Sequence, residues 1–410
     1  MYSDDNNRPP EPQKPVKKTK IQKDKIVILA VSVIFVIFAV IYFNAILPLL
    51  NVLYNPMKDD QQGGKPTVDK GDVINKNDPY YSPGNTSSPT EEVPSTATPT
   101  PDPAATPEPT VTEEVTPTPD SEDKAFDITK ASYVHASSLT FEEGTRNVLL
   151  LGFNPEENLC DSIFIVNINE KTKEFRLISI PRDTYVPHSE TVIQILKDAK
   201  LYRVAGIHKI NATVQIGQNI IHYTGGKFGN SGIDFIVDIL ESLLPGLVID
   251  DYVYVDFYGF MDVIDVVGGV YVTSPENMYT EKGELAIPEG RSKLTARETL
   301  FYVRYRKRLD STGKDTYTGS DDWRKINQTN FLAEVATQII TKENMTLSKV
   351  QGTLEVLKKS VYHSITPDKL GTYLSIGMDF ADKQYKIINL VVQGVDIDPF
   401  GDNAWYVQLD

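Results

Sequence analysis

The sequence predicts an α/β layered domain with a mixed central sheet, preceded by a single transmembrane helix and a disordered linker. Residues 26–43 form one apolar run, and residues 56–119 hold half of the 26 prolines. From about residue 126, short apolar runs alternate with helical patterns, as in α/β domains. The expected boundaries are a cytoplasmic basic tail at 1–25, a transmembrane helix at 26–47, an extracellular linker at 48–125 and a folded domain at 126–410.

The composition excludes some classes of protein. The chain has 410 residues, a formal net charge of −15 and one cysteine, Cys160. An acidic chain is a poor partner for nucleic acid, because a polyphosphate favours a basic face. A single cysteine allows no intramolecular disulfide. We therefore expect no nucleic-acid partner and a core held by packing alone.

The apolar run at 26–43 is long enough for a membrane span, since about 20 apolar residues cross a bilayer core as a helix. A cleaved signal peptide is the competing interpretation, but no small-residue cleavage pattern follows the run. Six lysines precede it at positions 14–25, and only Lys58 stands close behind. Because positive charge stays on the cytoplasmic side, the sequence predicts a single-pass protein of the cell membrane with its C-terminal domain outside.

The region behind the span is rich in threonine, proline and acidic residues. No aromatic residue occurs between Tyr81 and Phe126. Such a composition buries too little apolar surface to offset the conformational entropy of the chain. The sequence therefore predicts an extended, disordered spacer.

The folded region begins with three strand patterns, at 147–153, 162–168 and 174–180, which are apolar on both faces. A polar turn between the second and third predicts a hairpin. Periodicity then predicts seven helices and three more strands. The helices are expected at 212–223, 233–244, 258–267, 295–303, 321–341, 347–361 and 366–379, and the strands at 250–257, 268–272 and 385–392.

The third strand leads directly into the sequence PRD, with Arg182 beside Asp183. Ligands of α/β sheets bind at strand ends, where loops carry polar groups. The planar guanidinium of Arg182 suits a phosphate or a carboxylate. The alternative is an Arg182–Asp183 pair that only stabilises a turn.

A second basic cluster lies in the sequence FYVRYRKRLD. If the predicted helix unwinds here, Tyr302, Arg304 and Arg306 share one face and two guanidinium groups can hold a pyrophosphate. If the helix continues, residues two apart diverge by about 200° and form a solvated basic face.

Two further stretches place polar residues beside predicted helices. In DDWRKINQ, the residues Asp321, Arg324 and Gln328 can share one helix face, although a surface ion pair is the alternative. Lys209 precedes a predicted helix start, where a cation reinforces an anion site. A solvated lysine is the alternative at this position.

A pyrophosphate site usually needs a hard cation with oxygen ligands. Asn154 ends the first predicted strand and Asp161 opens the second, so both are candidate ligands at facing strand ends. The histidines show no metal-ligand spacing, and Cys160 has no nearby base. We interpret Cys160 as a small buried apolar residue.

Seven motifs occur in a characteristic order: NVLLLGFN, CDSIFIVNI, ISIPRDTYV, HKINATV, DDYVYVDFYGFMDVIDVVGGVYV, ARETLFYVRYRKR and DDWRKINQ. In this order they resemble the LytR-CpsA-Psr family of bacterial cell-wall proteins over about residues 146–331. The resemblance implies a three-layer α/β/α domain with a lipid-binding cavity. It also implies transfer of a phosphoryl-linked wall glycopolymer, teichoic-acid-like or capsular, from a polyprenyl pyrophosphate carrier to peptidoglycan.

The resemblance also implies roles for individual residues. A Mg²⁺ ion is expected on Asp161, with Asn154 at the family's second metal position. An acidic helper near the acceptor is expected at Asp321, with Asp322 or Asp310 as alternatives. The pyrophosphate is expected to be held and supported by Arg182, Arg304, Arg306, Arg324, Gln328 and Lys209.

Three positions depart from the family pattern. Asn154 stands where an aspartate is usual, and Leu159 and Asn327 stand where arginines are usual. These changes lower the expected metal affinity and remove donors for the transition state. Arg203, in extra chain at 187–207, is one candidate replacement for a missing cation. The departures leave a second hypothesis open, a non-catalytic protein that binds polyprenyl pyrophosphate or regulates the cell envelope.

Overall fold

The computed structural model describes residue 68 and residues 70–81, 127–316, 322–339, 361–401 and 404–410. The predicted tail and transmembrane helix, and most of the predicted linker, lie outside these ranges. Among the residues that the structure describes, no helix is both long enough and apolar enough to cross a membrane.

The domain contains thirteen described strands and seven described α-helices. The strands are β1 Asp127–Ile128, β2 Ser132–His135, β3 Arg146–Asn154, β4 Leu159–Asn169, β5 Glu174–Ile180, β6 Asp251–Asp256, β7 Val270–Ser274, β8 Met278–Tyr279, β9 Leu285–Ile287, β10 Gly290–Leu294, β11 Val361–His363, β12 Lys386–Ile397 and β13 Tyr406–Leu409. The helices are α1 Glu190–Asp198, α2 Thr213–Ile216, α3 Ser231–Leu243, α4 Phe257–Val266, α5 Ala296–Arg304, α6 Asp322–Ile339 and α7 Leu370–Ala381. Short 3₁₀ and π turns, Ile210–Ala212 and Gly217–Ile221, flank α2.

The main sheet has the strand order β1-β12-β5-β4-β3-β6-β11, and both β2 and β13 also pair with β12. Strand β4 runs antiparallel to both of its neighbours, β3 and β5, whereas β6 pairs with β3 and β12 pairs with β5 in parallel. The prediction of a mixed sheet, including the hairpin between β4 and β5, is confirmed. Two small sheets, β7 with β10 and β8 with β9, lie apart from it.

Alternate residues of β3 enter two separate cores, which explains why this strand is apolar on both faces. Val148 and Leu150 pack with residues of α4, α5, α6 and α7. Leu149 and Leu151 pack with residues of α1, α2 and α3. Helices therefore cover both faces of the sheet, which gives three layers.

The structure corrects the sequence predictions at several elements. Residues 347–360 of one predicted helix lie outside the described residues, but Val361 opens strand β11, so a helix is wrong there. Strand β11 continues the sheet beyond β6. Helix α1 occupies the extra chain after PRD, and the short strands β1 and β2 were also missed. Short elements have too few residues to show a clear period.

Part of the predicted linker belongs to the folded domain. Val73 and Ile74 are 1% and 7% exposed and join the core of α1, α2 and α3. The amide of Asn75 donates to the carbonyl of Pro187 at 2.7 Å, and the Tyr81 hydroxyl donates to the carbonyl of Ser242 at 3.2 Å. For residues 70–81 the expectation of a disordered linker is wrong, because this stretch carries apolar and aromatic side chains that the following Thr/Pro-rich stretch lacks.

Candidate active site

A pocket lies between one face of the sheet and helices α4, α5 and α6. It encloses about 1020 Å³, counting the solvent at its mouth. Its polar side chains are Asn154, Glu157, Asp161, Ser162, Arg182, Asp256, Arg304, Arg306, Arg324 and Gln328. Its apolar lining includes Leu150, Phe164, Val253, Val255, Phe257, Phe260, Leu300, Val303, Phe331 and Leu332. Seven of the nine predicted site residues therefore meet in one cavity.

The apolar part of this pocket is the deeper part. Leu150, Phe164 and Phe331 are 6%, 4% and 1% exposed, whereas Arg304 and Arg306 are exposed. Four arginines and three carboxylates share the lining. The pocket thus joins a charged rim to an apolar interior, a combination that suits an amphiphile with an anionic head and a hydrocarbon tail.

Arg182 and Asp161 form an ion pair at the rim. Arg182 follows the end of β5, and Asp161 lies near the start of β4, so the antiparallel pairing of these strands brings the two side chains together. A guanidinium nitrogen of Arg182 donates to the Asp161 carboxylate. The two side chains are 14% and 13% exposed, so the pair is largely shielded from water.

Asn154 contacts Asp161 through its nitrogen and not its oxygen. Its Nδ2 donates to Oδ2 of Asp161 at 2.9 Å, and its Oδ1 accepts the amides of Glu156 at 3.0 Å and Glu157 at 3.3 Å. The reversed amide would place oxygen against carboxylate and NH₂ against two N–H groups, so only this orientation satisfies all four groups. The oxygen of Asn154 is thus turned away from Asp161, and its role as a metal ligand stays a prediction.

Lys209 is not part of the pocket. Its Nζ lies 2.8 Å from Oδ1 of Asp183, and Oδ2 of Asp183 lies 3.7 Å from Nε of Arg182. Lys209 therefore acts on Arg182 through Asp183. Sequence reasoning weighed an Arg182–Asp183 pair against a ligand site, and the structure combines both, because Arg182 contacts Asp183 and also lines the pocket.

Helix α5 ends where the basic cluster begins. Thr295 and Glu298 form a capping box at its start, and Tyr305 after its last residue is extended. Tyr302 and Arg304 are therefore still helical and only the chain from Tyr305 is extended, so neither alternative is found in full; Arg304 and Arg306 nevertheless line the same pocket. Arg304 also lies 4.5 Å from the centre of the Phe257 ring and 3.4 Å from the Glu156 carboxylate.

Helix α6 contributes Arg324 and Gln328, which are 5% and 8% exposed. The side-chain amide of Gln328 donates to the carbonyl of Val303 at 2.7 Å and so ties α6 to the last turn of α5. Asp321 lies outside the described residues, and Asp322 opens α6. Asp310 does not line the pocket, because its carboxylate accepts hydrogen bonds from Thr312 and Lys314 in a turn.

Two pocket carboxylates were missed by the sequence reasoning. Glu157 lies in the turn between β3 and β4, and Asp256 ends β6 and caps α4 by accepting the Gly259 amide at 2.7 Å. The position of Asp256 directly after a predicted strand was the available signal. The prediction that Cys160 is a buried apolar residue is confirmed, since it is 0% exposed and burial raises the pKa of its thiol.

The donor set at Asp161 fits a magnesium ion only in part. Among the described residues, no three His, Cys, Asp or Glu side chains are grouped closely enough to hold a metal. Magnesium, however, is often bound by one or two carboxylates together with substrate phosphates and water. Asp161 can supply one such carboxylate, and Glu157 and Asp256 line the same pocket.

The structure places two of the residues that depart from the family pattern, Leu159 and Asn327, and also Arg203. Leu159 pairs with Asn154 in the β3–β4 ladder, and Asn327 is 6% exposed on α6. Arg203 does not line this pocket and instead lies over the rings of Tyr202 and Phe400. The hypothesis that Arg203 replaces a missing cation at the rim is therefore wrong.

Comparison with known proteins matches most of this chain to one family. The model of the LytR_cpsA_psr family matches residues 113–410. The polyisoprenyl-teichoic acid–peptidoglycan teichoic acid transferase TagV of Bacillus subtilis (strain 168) is 28% identical over 260 residues, which are 62% of this chain and 57% of TagV. The corresponding transferase TagU of Oceanobacillus iheyensis is 27% identical over 256 residues, which are 62% of this chain and 68% of TagU.

Solved structures are similar as well. The crystal structure of B. subtilis TagV has a TM-score of 0.45 and 25% identity, covering 66% of this chain and 92% of that one. A structure of TagT bound to LIIa-WTA has a TM-score of 0.44 and 21% identity, covering 70% and 93%. The matched part of the present chain spans little more than half the length of the TagV sequence.

Proposed function

This chain belongs to the LytR_cpsA_psr family, and from this premise we propose that it transfers a phosphoryl-linked wall glycopolymer from a polyprenyl pyrophosphate to peptidoglycan. The polymer is a teichoic acid or a capsular polysaccharide. The observation that carries the proposal is a pocket that four arginines line together with an apolar interior. The names of the relatives TagV and TagU, as teichoic acid transferases, support the same reaction.

The reaction requires charge neutralisation and positioning more than covalent work by the protein. An acceptor hydroxyl oxygen attacks the phosphorus that bears the glycopolymer, and a new P–O bond forms. The bridging P–O bond breaks, and polyprenyl phosphate leaves with the electron pair. The hydroxyl proton passes to a base, for which Asp321 is our proposal, with Asp322 as the alternative.

The arginines receive the charge that develops in this step. Arg182, Arg304 and Arg306 bind the pyrophosphate oxygens, since guanidinium groups make bidentate contacts with phosphate. Arg324 adds a fourth guanidinium from α6. Gln328 holds the end of α5, and with it Arg304, through its bond to the Val303 carbonyl. Lys209 positions Arg182 by way of Asp183.

We further propose that Mg²⁺ is held by Asp161. The ion would neutralise charge on the pyrophosphate oxygens during transfer. Asn154 then serves to orient Asp161 through its Nδ2 and is not a ligand. The proposed magnesium site consists of one protein carboxylate and the phosphates of the substrate. The site is therefore complete only when the substrate is bound.

The proposed location is the outer side of the cell membrane, with the apolar run 26–47 as a single span and the N-terminus in the cytoplasm. A lipid carrier with a wall-side headgroup is accessible there. The partners are then the polyprenyl-linked glycopolymer, peptidoglycan and the membrane.

A second candidate function is a protein that binds the lipid pyrophosphate without transferring the polymer, in a regulatory role. The orientation of Asn154 favours it, because Asn154 presents an amide to Asp161 where the family pattern has a second acid. Weak metal binding would slow the chemical step while the arginines still hold the headgroup.

One experiment separates the two functions. The full-length protein is incubated with Mg²⁺, a lipid-pyrophosphate-linked teichoic acid precursor and peptidoglycan fragments, and covalent transfer is followed. Arg182→Ala is compared with Arg297→Ala, which removes the same charge from an exposed position of α5 outside the pocket. We expect Arg182→Ala to slow transfer by about 10²- to 10³-fold, as loss of one transition-state donor does.

The expected rate of Arg297→Ala equals that of the wild type. Lipid binding without any transfer by the wild-type protein would establish the second candidate function. Equal transfer by wild type and Arg182→Ala would show that the pocket at Arg182 is not the reaction site.

A further inference from the structure

A second cavity lies away from the first and shares no lining residue with it. It encloses about 820 Å³, counting the solvent at its mouth. Three separate stretches form it: residues 78–80, residues within 185–208, and residues 399–400. The first belongs to the predicted linker, and the second includes the extra chain after PRD, where the sequence indicated only Arg203, as a candidate replacement for a cation of the first pocket.

Aromatic rings form most of the walls of this second cavity. The rings of His208 and Phe400 lie 4.6 Å apart at 30°, and Tyr202 meets Phe400 edge-on at 6.0 Å. The exposed Arg203 places its guanidinium 5.3 Å from the Tyr202 ring centre and 6.0 Å from that of Phe400. Stacking on two rings orients the guanidinium at the rim of the cavity.

Polar groups converge on the same space. The Tyr185 hydroxyl donates to the carboxylate of Asp78 at 3.1 Å, and both residues line the cavity. His188 is 1% exposed and lines the cavity through its buried ring. The Asp78 carboxylate keeps acceptor capacity beside its bond from Tyr185, so the cavity suits an occupant with hydroxyl or amide groups.

We propose that this second cavity binds a saccharide unit of a wall polymer. A pyranose ring offers apolar C–H faces to the rings of Phe400 and Tyr202, and hydroxyl groups to the Asp78 carboxylate. The Arg203 guanidinium suits a carboxylate or phosphate borne by the polymer. These rings pack against one another, and the same rings also line the open space of the cavity.

The position of the second cavity relates it to the proposed reaction. Tyr185 lies three residues after Arg182, so their Cα atoms are at most about 10 Å apart along the chain. The segment around Tyr185 also pairs with Lys209, which reaches Arg182 through Asp183. The assignment to a wall polymer rests on the proposed function. The same saccharide chemistry could come from the peptidoglycan acceptor or from the glycopolymer donor.

The test measures saccharide binding directly by calorimetry on the full-length protein. The probes are a peptidoglycan tetrasaccharide that bears lactyl carboxylates, a soluble lipid-free teichoic acid and a neutral maltotetraose. We expect one of the two wall polymers to bind more tightly than maltotetraose. Arg203→Ala should weaken that binding by about tenfold, the loss of one charge-assisted contact, and Arg203→Lys should restore part of it.

Phe400→Leu is the second variant, because it keeps apolar volume and removes the ring face. Arg297→Ala serves as the control for loss of an exposed arginine, and thermal unfolding checks that each variant is folded. Preference for the tetrasaccharide would identify an acceptor subsite, and preference for teichoic acid would identify a donor subsite. Absence of wall-polymer binding, or binding that neither variant weakens, would overturn the proposal.

The two proposals fail separately in this design. Arg182→Ala should slow transfer by about 10²- to 10³-fold and leave saccharide binding unchanged, because Arg182 does not line the second cavity. A wild-type protein that binds the saccharide through Arg203 but transfers nothing would refute only the proposed reaction. Transfer without Arg203-dependent binding would refute only the saccharide site.

Discussion

The guanidinium of Arg182 donates a hydrogen bond to the carboxylate of Asp161 across the ends of two neighbouring strands. Both side chains are less than 15% exposed, so each charge depends on the other for compensation. A pyrophosphate competes with Asp161 for Arg182, and a magnesium ion competes with Arg182 for Asp161. Substrate and metal binding are therefore expected to be mutually favourable, because together they replace both halves of the pair.

Replacing Asn154 by aspartate should strengthen magnesium binding. In Asn154→Asp, a second carboxylate takes the place of the Nδ2 that now lies 2.9 Å from Asp161. Two carboxylates side by side repel unless a cation lies between them. We expect a loss of about 1–3 kcal/mol of unfolding free energy in EDTA, and recovery in Mg²⁺, measured by denaturant unfolding.

Asn154→Ala is the matched control, since it removes the same hydrogen bond without adding a charge. Its stability should not recover in Mg²⁺. If Asn154→Asp responds to Mg²⁺ no more than Asn154→Ala does, Asp161 is not a metal ligand. Faster transfer by Asn154→Asp would also indicate that the native protein has a weakened metal site.

Lys209 should affect the rate constant of transfer more than the affinity for the lipid. Lys209→Met removes the ion pair with Asp183, at 2.8 Å, and frees Asp183 to pull on Arg182. We expect kcat to fall about tenfold, as happens on loss of an outer positioning partner, with little change in KM for the lipid substrate. Steady-state kinetics measures both.

Lys209→Arg should keep most of the activity, because it retains a cation beside Asp183. A large increase in KM for Lys209→Met, with kcat unchanged, would instead place Lys209 in direct contact with the pyrophosphate. That result would restore the role predicted from the sequence.

A bulky residue in the apolar interior should shorten the lipid that the protein accepts. Val255 lines the first pocket from strand β6, and Val255→Trp fills part of the space proposed for the prenyl chain. We expect transfer from a long-chain polyprenyl donor to fall by about tenfold or more, the effect of forcing apolar groups back into water. A short-chain donor should be affected far less.

Tyr258→Trp is the control for the added indole, since Tyr258 is 60% exposed on α4. Transfer from the long-chain and the short-chain donor is measured for the wild type, Val255→Trp and Tyr258→Trp. This comparison separates a loss of lipid binding from a general loss of activity. An equal loss for both donors in Val255→Trp would argue that the lipid lies elsewhere.

The buried His188 should make the domain less stable in mild acid. Burial, together with the neighbouring His208, lowers the pKa of His188 to about 3, whereas an unfolded histidine has a pKa of about 6.5. Between these values the unfolded chain binds a proton that the folded protein does not, so the unfolding free energy falls as the pH falls. The loss approaches about 1.4 kcal/mol per pH unit from this residue alone.

Between pH 6 and 4, His188→Gln should reduce the slope of unfolding free energy against pH. The reduction is at most the contribution of one bound proton, about 1.4 kcal/mol per pH unit. Denaturant unfolding at several pH values gives this slope. His135→Gln, at a side chain that is 55% exposed, tests whether loss of any histidine has the same effect. An unchanged slope in His188→Gln would mean that His188 is already protonated in the folded protein.

Much of the fold could be read from the sequence because the central strands are long and apolar. Strands β3, β4 and β5 and helices α3, α4 and α5 were predicted within a few residues, since their periods are clear. The short strands at the sheet edges were missed, because two to four residues carry no period. Residues 70–81 were assigned to the linker because the surrounding composition hides the few apolar side chains that fold.

The candidate site was predicted in its residue types and only partly in its contacts. Arg182, Arg304 and Arg306 do meet in one pocket, as their positions at element ends indicated. The sequence could not show that Lys209 faces Asp183, that Asn154 turns its oxygen away from Asp161, or that Arg203 lies at a second cavity. These contacts depend on which polar groups lie close enough in the folded chain to share hydrogen-bond partners and ion-pair partners.

The sequence by itself determined the class of the domain, the strand ends that bear charge and the family to which the chain belongs. These properties follow from local periodicity and from motifs that are continuous in the chain. Only the tertiary structure decided which side chains share a cavity, because residues as distant as Asp78 and Phe400 meet there. Such meetings arise from packing across the sheet, and no local pattern in the chain encodes them.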